Sequence, residues 1–190
     1  MLKHLITVLF IVIVLQTSYA QQITYSCKNM VNDYLVELVG EWRVETKDRI
    51  SLGNYENNLG VSEINVLIEG CGVQESYRGM FKGKPYAREV LLAGKDSVNL
   101  EMSVLDSEHG SFSILEGEKK GNQLELIWYR DTKVKRLQSK YILTKNGKEQ
   151  FEFSSYLSMD YGETWALTHE RKYYRISKEE PMPSKTSHKN

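Results

Sequence analysis

The sequence has 190 residues, with 25 basic and 25 acidic side chains and an isoelectric point near 6.9. That balance gives no electrostatic argument for DNA, RNA or an anionic membrane surface as partner. The length suits a single domain.

The chain begins MLKHLITVLFIVIVLQTSYA. Lys3 and His4 precede a nearly unbroken apolar run, Leu5 to Leu15, and Ser18-Tyr19-Ala20 supplies the small residues of a cleavage site. This predicts a secretory signal peptide over 1–20; the apolar run is shorter than the roughly twenty residues a membrane span needs. No lipobox surrounds Cys27, so the expected product is a soluble exported protein, periplasmic or extracellular, with no integral membrane segment. Removing twenty residues, Lys3 among them, leaves 170 residues with 24 basic and 25 acidic side chains.

Two cysteines remain, Cys27 and Cys71. In an exported protein an even count points to a disulfide, which would contribute about 4 kcal/mol on the chain-entropy model. Two free thiols are the alternative. A metal site is disfavoured, because the pair lacks a CxxC spacing or a nearby histidine.

Lys28 to Val39 carries Met30, Val31, Tyr34, Leu35, Leu38 and Val39 at helical spacing, and Gly40 ends it. Beyond it the apolar period is two. Ile64, Val66 and Ile68 alternate with other residues; so do Val98, Leu100, Met102 and Val104, then Leu124, Leu126 and Trp128. Leu137, Tyr141 and Leu143 share one parity, as do Phe151 and Phe153. Turn signals separate these runs, from Gly70 through Lys82-Gly83-Lys84-Pro85 to Asp160-Tyr161-Gly162. Nothing is long enough for a crossover helix, so parallel βαβ units are excluded. The pattern predicts an all-β fold: an antiparallel up-and-down barrel of about nine or ten strands over 21–177, closed to remove exposed edges, with one short N-terminal helix. A β-sandwich is the alternative. The tail KEEPMPSKTSHKN, 178–190, reads as disordered.

Ser158 to Trp165 reads SMDYGETW, the S-x-D-x-G-x-T-W Asp-box of sialidase-type propellers. It occurs once, in a chain with no internal repeat, which excludes a propeller. As a turn device it caps the hairpin joining the last two strands: Asp160 bonds backbone groups, Gly162 takes positive φ, and Trp165 folds back into the core. GxSxG, HExxH, P-loop and GxGxxG motifs are absent, so no catalytic residue and no enzyme activity are expected. His109, His169 and His188 show no metal-ligand spacing, and no cofactor or metal is expected.

Three landmarks stand in order: Leu38-Val39-Gly40-Glu41-Trp42-Arg43-Val44, then Gly70-Cys71-Gly72-Val73-Gln74-Glu75, then SMDYGETW with Tyr173-Tyr174-Arg175. Together they resemble a family of secreted bacterial lipocalin-like domains of unknown function. The resemblance implies a calycin-like barrel and export; it implies no established activity.

Within such a barrel, parity selects a candidate site. Trp165, Leu167, His169, Arg171 and Tyr173 share the face taken as inward; Val73, Glu75 and Tyr77 share another, as do Trp128 and Arg130. An inward Glu75 needs a cation, supplied by Arg171 or Arg130. Glu75, Tyr77, Trp128, Arg130, His169 and Arg171 are therefore the candidate ligand residues, with Trp42, Asp160, Gly162 and Trp165 structural. Two functions stay open: a lipocalin-like domain holding a small apolar molecule by its polar head group, or an interaction or scaffold module whose barrel is filled and closed by an internal salt bridge. Haem ligation by His169 has no second axial ligand or motif to support it.

Overall fold

The computed structural model describes residues 27–108, 110, 112–129 and 136–176. The expected leader 1–20, the tail 178–190, and His109, Arg130 and His188 lie outside them. Helix α1 (Met30–Val36) is followed by ten strands: β1 (Gly40–Ser51), β2 (Asn54–Leu67), β3 (Gly72–Phe81), β4 (Lys84–Gly94), β5 (Asn99–Asp106), β6 (Phe112–Lys120), β7 (Gln123–Tyr129), β8 (Gln138–Lys145), β9 (Gln150–Ser158) and β10 (Ala166–Arg175). Each strand pairs antiparallel with the next, and β10 pairs with β1, closing the barrel. Closure satisfies the backbone groups that a ten-strand sheet would otherwise leave at two edges.

Most of the alternation seen in the sequence becomes the inner wall, while Val66, near the end of β2, and Val98, just before β5, are exposed. Trp42 and Val44, Leu100 and Met102, Leu124 and Leu126, and Phe151 and Phe153 are all buried, and with Leu115 and Leu143 they form one core cluster. Two readings shift. Ile68, expected to continue the β2 alternation, leaves it at φ 32 in a short 3-10 turn and is exposed. The hairpin turn between β1 and β2, with Gly53 at φ 76, had no marked signal in the sequence.

The even-numbered connections (β2–β3, β4–β5, β6–β7, β8–β9) lie at one end of the barrel, and α1 covers that end. Asn29 caps the helix, accepting from Asn32 N at 2.8 Å, which shortens it at this side relative to the expected start at Lys28. Val31, Tyr34, Leu35 and Leu38 are buried against the barrel, each worth roughly 1.5–3 kcal/mol. Polar ties fix the orientation. Asn32 Oδ1 accepts from Gly94 N at 2.8 Å, and Tyr34 Oη donates to Asn122 O at 3.0 Å across the mouth. Trp42 Nε1 donates to Leu38 O at 2.9 Å. Arg175 closes the helix C-terminus, giving hydrogen bonds to Val39 O at 2.8 Å and Glu37 O at 3.0 Å while stacking on Trp42 at 4.2 Å. Gly40, at φ 144, leaves room for that guanidinium, which any Cβ there would strike.

Cys27 and Cys71 form a disulfide, Cα to Cα 4.7 Å, tying the segment before α1 to the β2–β3 turn. The bridge spans 44 residues. Replacing both cysteines by serine is expected to lower stability by about 2–4 kcal/mol, read as a shifted urea midpoint.

Candidate functional site

The half of the barrel away from α1 has a different lining. Thr46 and Asp48 on β1, Ser62 on β2, Glu75 on β3, Arg88 on β4, Ser139 on β8, Ser155 on β9 and Arg171 on β10 are all buried. A cavity of about 130 Å³ lies within this half. Its walls are Phe81, Tyr86, Val104, Tyr141, Tyr156 and Leu157; Arg88, His169 and Arg171 reach it from deeper in the barrel, and Asp106 and Glu108 stand at the rim.

Glu75 and Arg171 both point inward, but they are not partners. Glu75 Oε2 receives Arg88 Nη2 at 2.7 Å; Oε1 receives Tyr173 Oη at 2.6 Å and Ser62 Oγ at 2.9 Å. The expected Glu75–Arg171 pair is thus corrected to Glu75–Arg88. Arg88 Nη2 also donates to Tyr173 Oη at 3.0 Å. Burial, the largest single influence, would lower the Arg88 pKa, but Glu75, Tyr173 and Tyr86 together outweigh it and raise it. Tyr173 is pushed up, first by burial and then by Glu75. Both carboxylate oxygens are occupied, whereas Arg88 keeps a buried Nε without an acceptor.

Arg171 belongs to a second cluster. Asp48 Oδ2 accepts from Thr46 Oγ1 at 2.8 Å, and Asp48 Oδ1 lies 2.8 Å from His169 Nδ1. Arg171 Nη2 stands 3.9 Å from Asp48 Oδ1, an ion pair beyond hydrogen-bond reach. Burial would raise the Asp48 pKa, but the His169 hydrogen bond, Arg171 and Thr46 together hold it below the usual range. Burial lowers the His169 pKa, against the pull of Asp48 and with Arg171 adding to the fall. Burial thus favours the uncharged ring, and in that form Nδ1 carries the hydrogen toward the Asp48 carboxylate and Nε2 is an acceptor.

Tyr77 lies between the two arginines, its ring 5.9 Å from the Arg88 guanidinium carbon and 5.5 Å from that of Arg171. It lies flat over Gly60 and Gly79, where a Cβ would strike the phenol. Burial raises its pKa to about 12. Four buried side-chain polar atoms among the described residues lack a hydrogen-bond partner: Asn58 Nδ2, Tyr77 Oη, Arg88 Nε and Arg171 Nε. All belong to inward-facing residues of the half away from α1, and all can donate. Trp128 is half-buried against the core cluster and lies apart from the cavity lining. No group of three metal-ligating side chains occurs among the described residues.

Strand β10 departs from its expected parity. Leu167 pairs with Tyr156 and His169 with Ser155, so Thr168 is an extra residue in a β-bulge. The bulge turns Thr168 into the cavity, its hydroxyl 2.7 Å from Ser155 Oγ. It keeps His169, Arg171 and Tyr173 inward and puts Leu167 and Trp165 on the outer side. Trp165, expected in the core, is half-buried there beneath Lys140, 4.2 Å from the ring. The neighbouring turn is built as its sequence suggests. Ser158 Oγ donates to Asp160 Oδ1 at 2.7 Å, Thr164 N and Oγ1 donate to the two Asp160 oxygens at 2.9 and 2.5 Å, and Tyr161 and Gly162 take φ 64 and 88. Those donors, Thr164 foremost, hold the Asp160 carboxyl down to about 2.

Asp48 and Arg88 escaped the sequence reading. Arg88 shares parity with Tyr86, Val90 and Leu92, a signal that places it inside. Asp48 lies two and four residues beyond Thr46 and Val44 on the Trp42 parity, but its immediate neighbours are polar.

Two outcomes follow from this arrangement. Arg88→Met should destabilise by about 3–5 kcal/mol, because it strands Glu75, and Glu75→Gln added to it should restore most of the loss in urea denaturation. A lowered native pKa at His169 means that the unfolded chain takes up the proton first. Its contribution is therefore present above the ordinary value of 6.5 and is lost as pH falls below it. The fall in stability between about pH 7 and 5 should flatten in His169→Gln.

No family model and no curated protein matches the chain. Among solved structures, the S-type phycobiliprotein lyase CPES from Guillardia theta aligns with a TM-score of 0.54 at 11% identity, over 83% of this chain and 98% of its own. A redesigned beta barrel aligns with a TM-score of 0.46 at 12% identity, over 80% of this chain and 100% of its own. The likeness to the lyase is one of fold, and with the closed ten-strand barrel it fits a lipocalin-like, calycin-like architecture in coarse outline.

Proposed function

We propose that the protein is an exported binding domain that holds one small, mostly apolar molecule by its polar head group in the half of the barrel away from α1. The observation that carries this reading is the set of unmet donors. Buried polar atoms are nearly always hydrogen-bonded, yet Asn58, Tyr77, Arg88 and Arg171 each bury one that is not, and the two arginines line a cavity. A ligand with acceptor atoms would meet that need, and aromatic walls would hold its body.

The cavity limits the size. About 130 Å³ is near the roughly 150 Å³ that accommodates a benzene ring, well below the several hundred Å³ of sites for larger ligands. The core cluster fills the half beside α1, so a long-chain molecule has nowhere to extend. Export draws support from the leader-like start and from the disulfide, which fits an oxidising compartment. That same solid half is what favours the competing reading, a scaffold whose interior takes only water.

Native mass spectrometry of protein purified from its own host separates the two. The binding reading expects an added small mass that denaturation releases, and expects Ser139→Leu, which fills the cavity, to lose it without losing stability. Bare protein mass alone would sink the binding reading in favour of the scaffold.

A further inference from the structure

We infer that the head group is a carboxylate, bound as a monoanion by the Arg171 guanidinium; this rests on the cavity reading above and adds the ligand's charge to it. The four buried charges of the half away from α1 are not equivalent. Glu75 receives three donors, one of them from Arg88. Asp48 is occupied on both oxygens by Thr46 and His169. Arg171 comes no nearer to Asp48 than 3.9 Å, although only 5% of its side chain is exposed, and its Nε is buried without an acceptor. A guanidinium is a planar fork of five donors that matches a carboxylate through two parallel hydrogen bonds. Left unmatched away from water, those donors cost free energy that an incoming anion recovers.

Charge count selects the class of anion. With His169 neutral, Arg88 balances Glu75 and Arg171 balances Asp48. One added negative charge meets one under-coordinated cation. Among the described residues these four buried charges already sum to zero, so a monoanion adds one uncompensated charge and a dianion two, close to Asp106 at the rim, where Glu108 is already paired with Lys82 at 2.9 Å. A carboxylate is therefore favoured over a phosphate monoester. Phe81, Tyr86 and Tyr141 wall a space about one ring in size, so a small aryl or short-chain carboxylic acid fits.

Calorimetric titration of the disulfide-bonded protein with benzoate, benzamide and phenyl phosphate tests this. Benzoate should bind at least about tenfold more tightly than its neutral isostere or the dianion, and Arg171→Lys, which keeps charge but not the fork, should remove about tenfold of the benzoate affinity while sparing benzamide. Equal affinity for benzoate and benzamide, a preference for phenyl phosphate, or an unchanged Arg171→Lys overturns the assignment. If that variant does not fold, the three-ligand comparison on the unaltered protein decides. Failure of all three probes while a natural molecule stays bound in native mass spectrometry overturns the carboxylate and keeps the cavity reading; failure of both overturns both.

Discussion

A ring of ten strands abolishes sheet edges but creates two mouths, and among the described residues a single α-helix is placed to stop one of them. Everything else follows from that imbalance. The stopped end can be dry, so its wall is Leu, Met, Phe and Trp, and its few polar contacts are backbone ties that seat the helix. The wall of the other end carries serine, threonine, histidine and charge. The two halves meet at Tyr173, whose ring stacks on Phe151 at 4.0 Å while its hydroxyl donates to Glu75.

The interior charges divide into two kinds of work. The Glu75–Arg88 unit joins β3 to β4 and, through Tyr173 and Ser62, to β10 and β2, and every oxygen it offers is used. Such a unit holds strands in place and leaves only the Arg88 Nε without an acceptor. Asp48, His169 and Arg171 form a looser set on β1 and β10, the two strands whose pairing closes the ring. Putting the under-coordinated cation beside the mouth, and the Glu75–Arg88 pair beneath it, separates holding the barrel shut from meeting what enters.

The stopped end was the legible one. Period-two alternation of large apolar residues marks most of the inner wall, and parts of the three sequence landmarks meet there, Trp42 under Arg175, Leu38 against Trp42 and Cys71 bonded to Cys27, whereas the SMDYGETW turn between β9 and β10 stands at the other end. The other end was legible only in part. Glu75, Tyr77 and Arg171 could be placed by counting from apolar neighbours. Asp48 could not be seen in the same way, because Thr46, Lys47 and Asp48 are all polar and offer no contrast between faces. Trp165 was misplaced because an extra residue in one strand leaves no mark in the strand's own sequence; only its pairing with β9 reveals Thr168 as the bulge.

The disulfide gives the stopped end a property beyond stability. It anchors the chain immediately ahead of α1 to the β2–β3 turn on the barrel rim, so the helix, already joined to β1 at its C-terminal end, is tethered at both ends. A helix that lifts off cannot leave, and a short tether keeps it at an effective concentration on the order of millimolar beside its own seat. Re-seating is then favoured by proximity as well as by contact. The barrel therefore keeps a fixed back, the end that α1 covers, and a distinct front, the end lined by Asp48, His169 and Arg171.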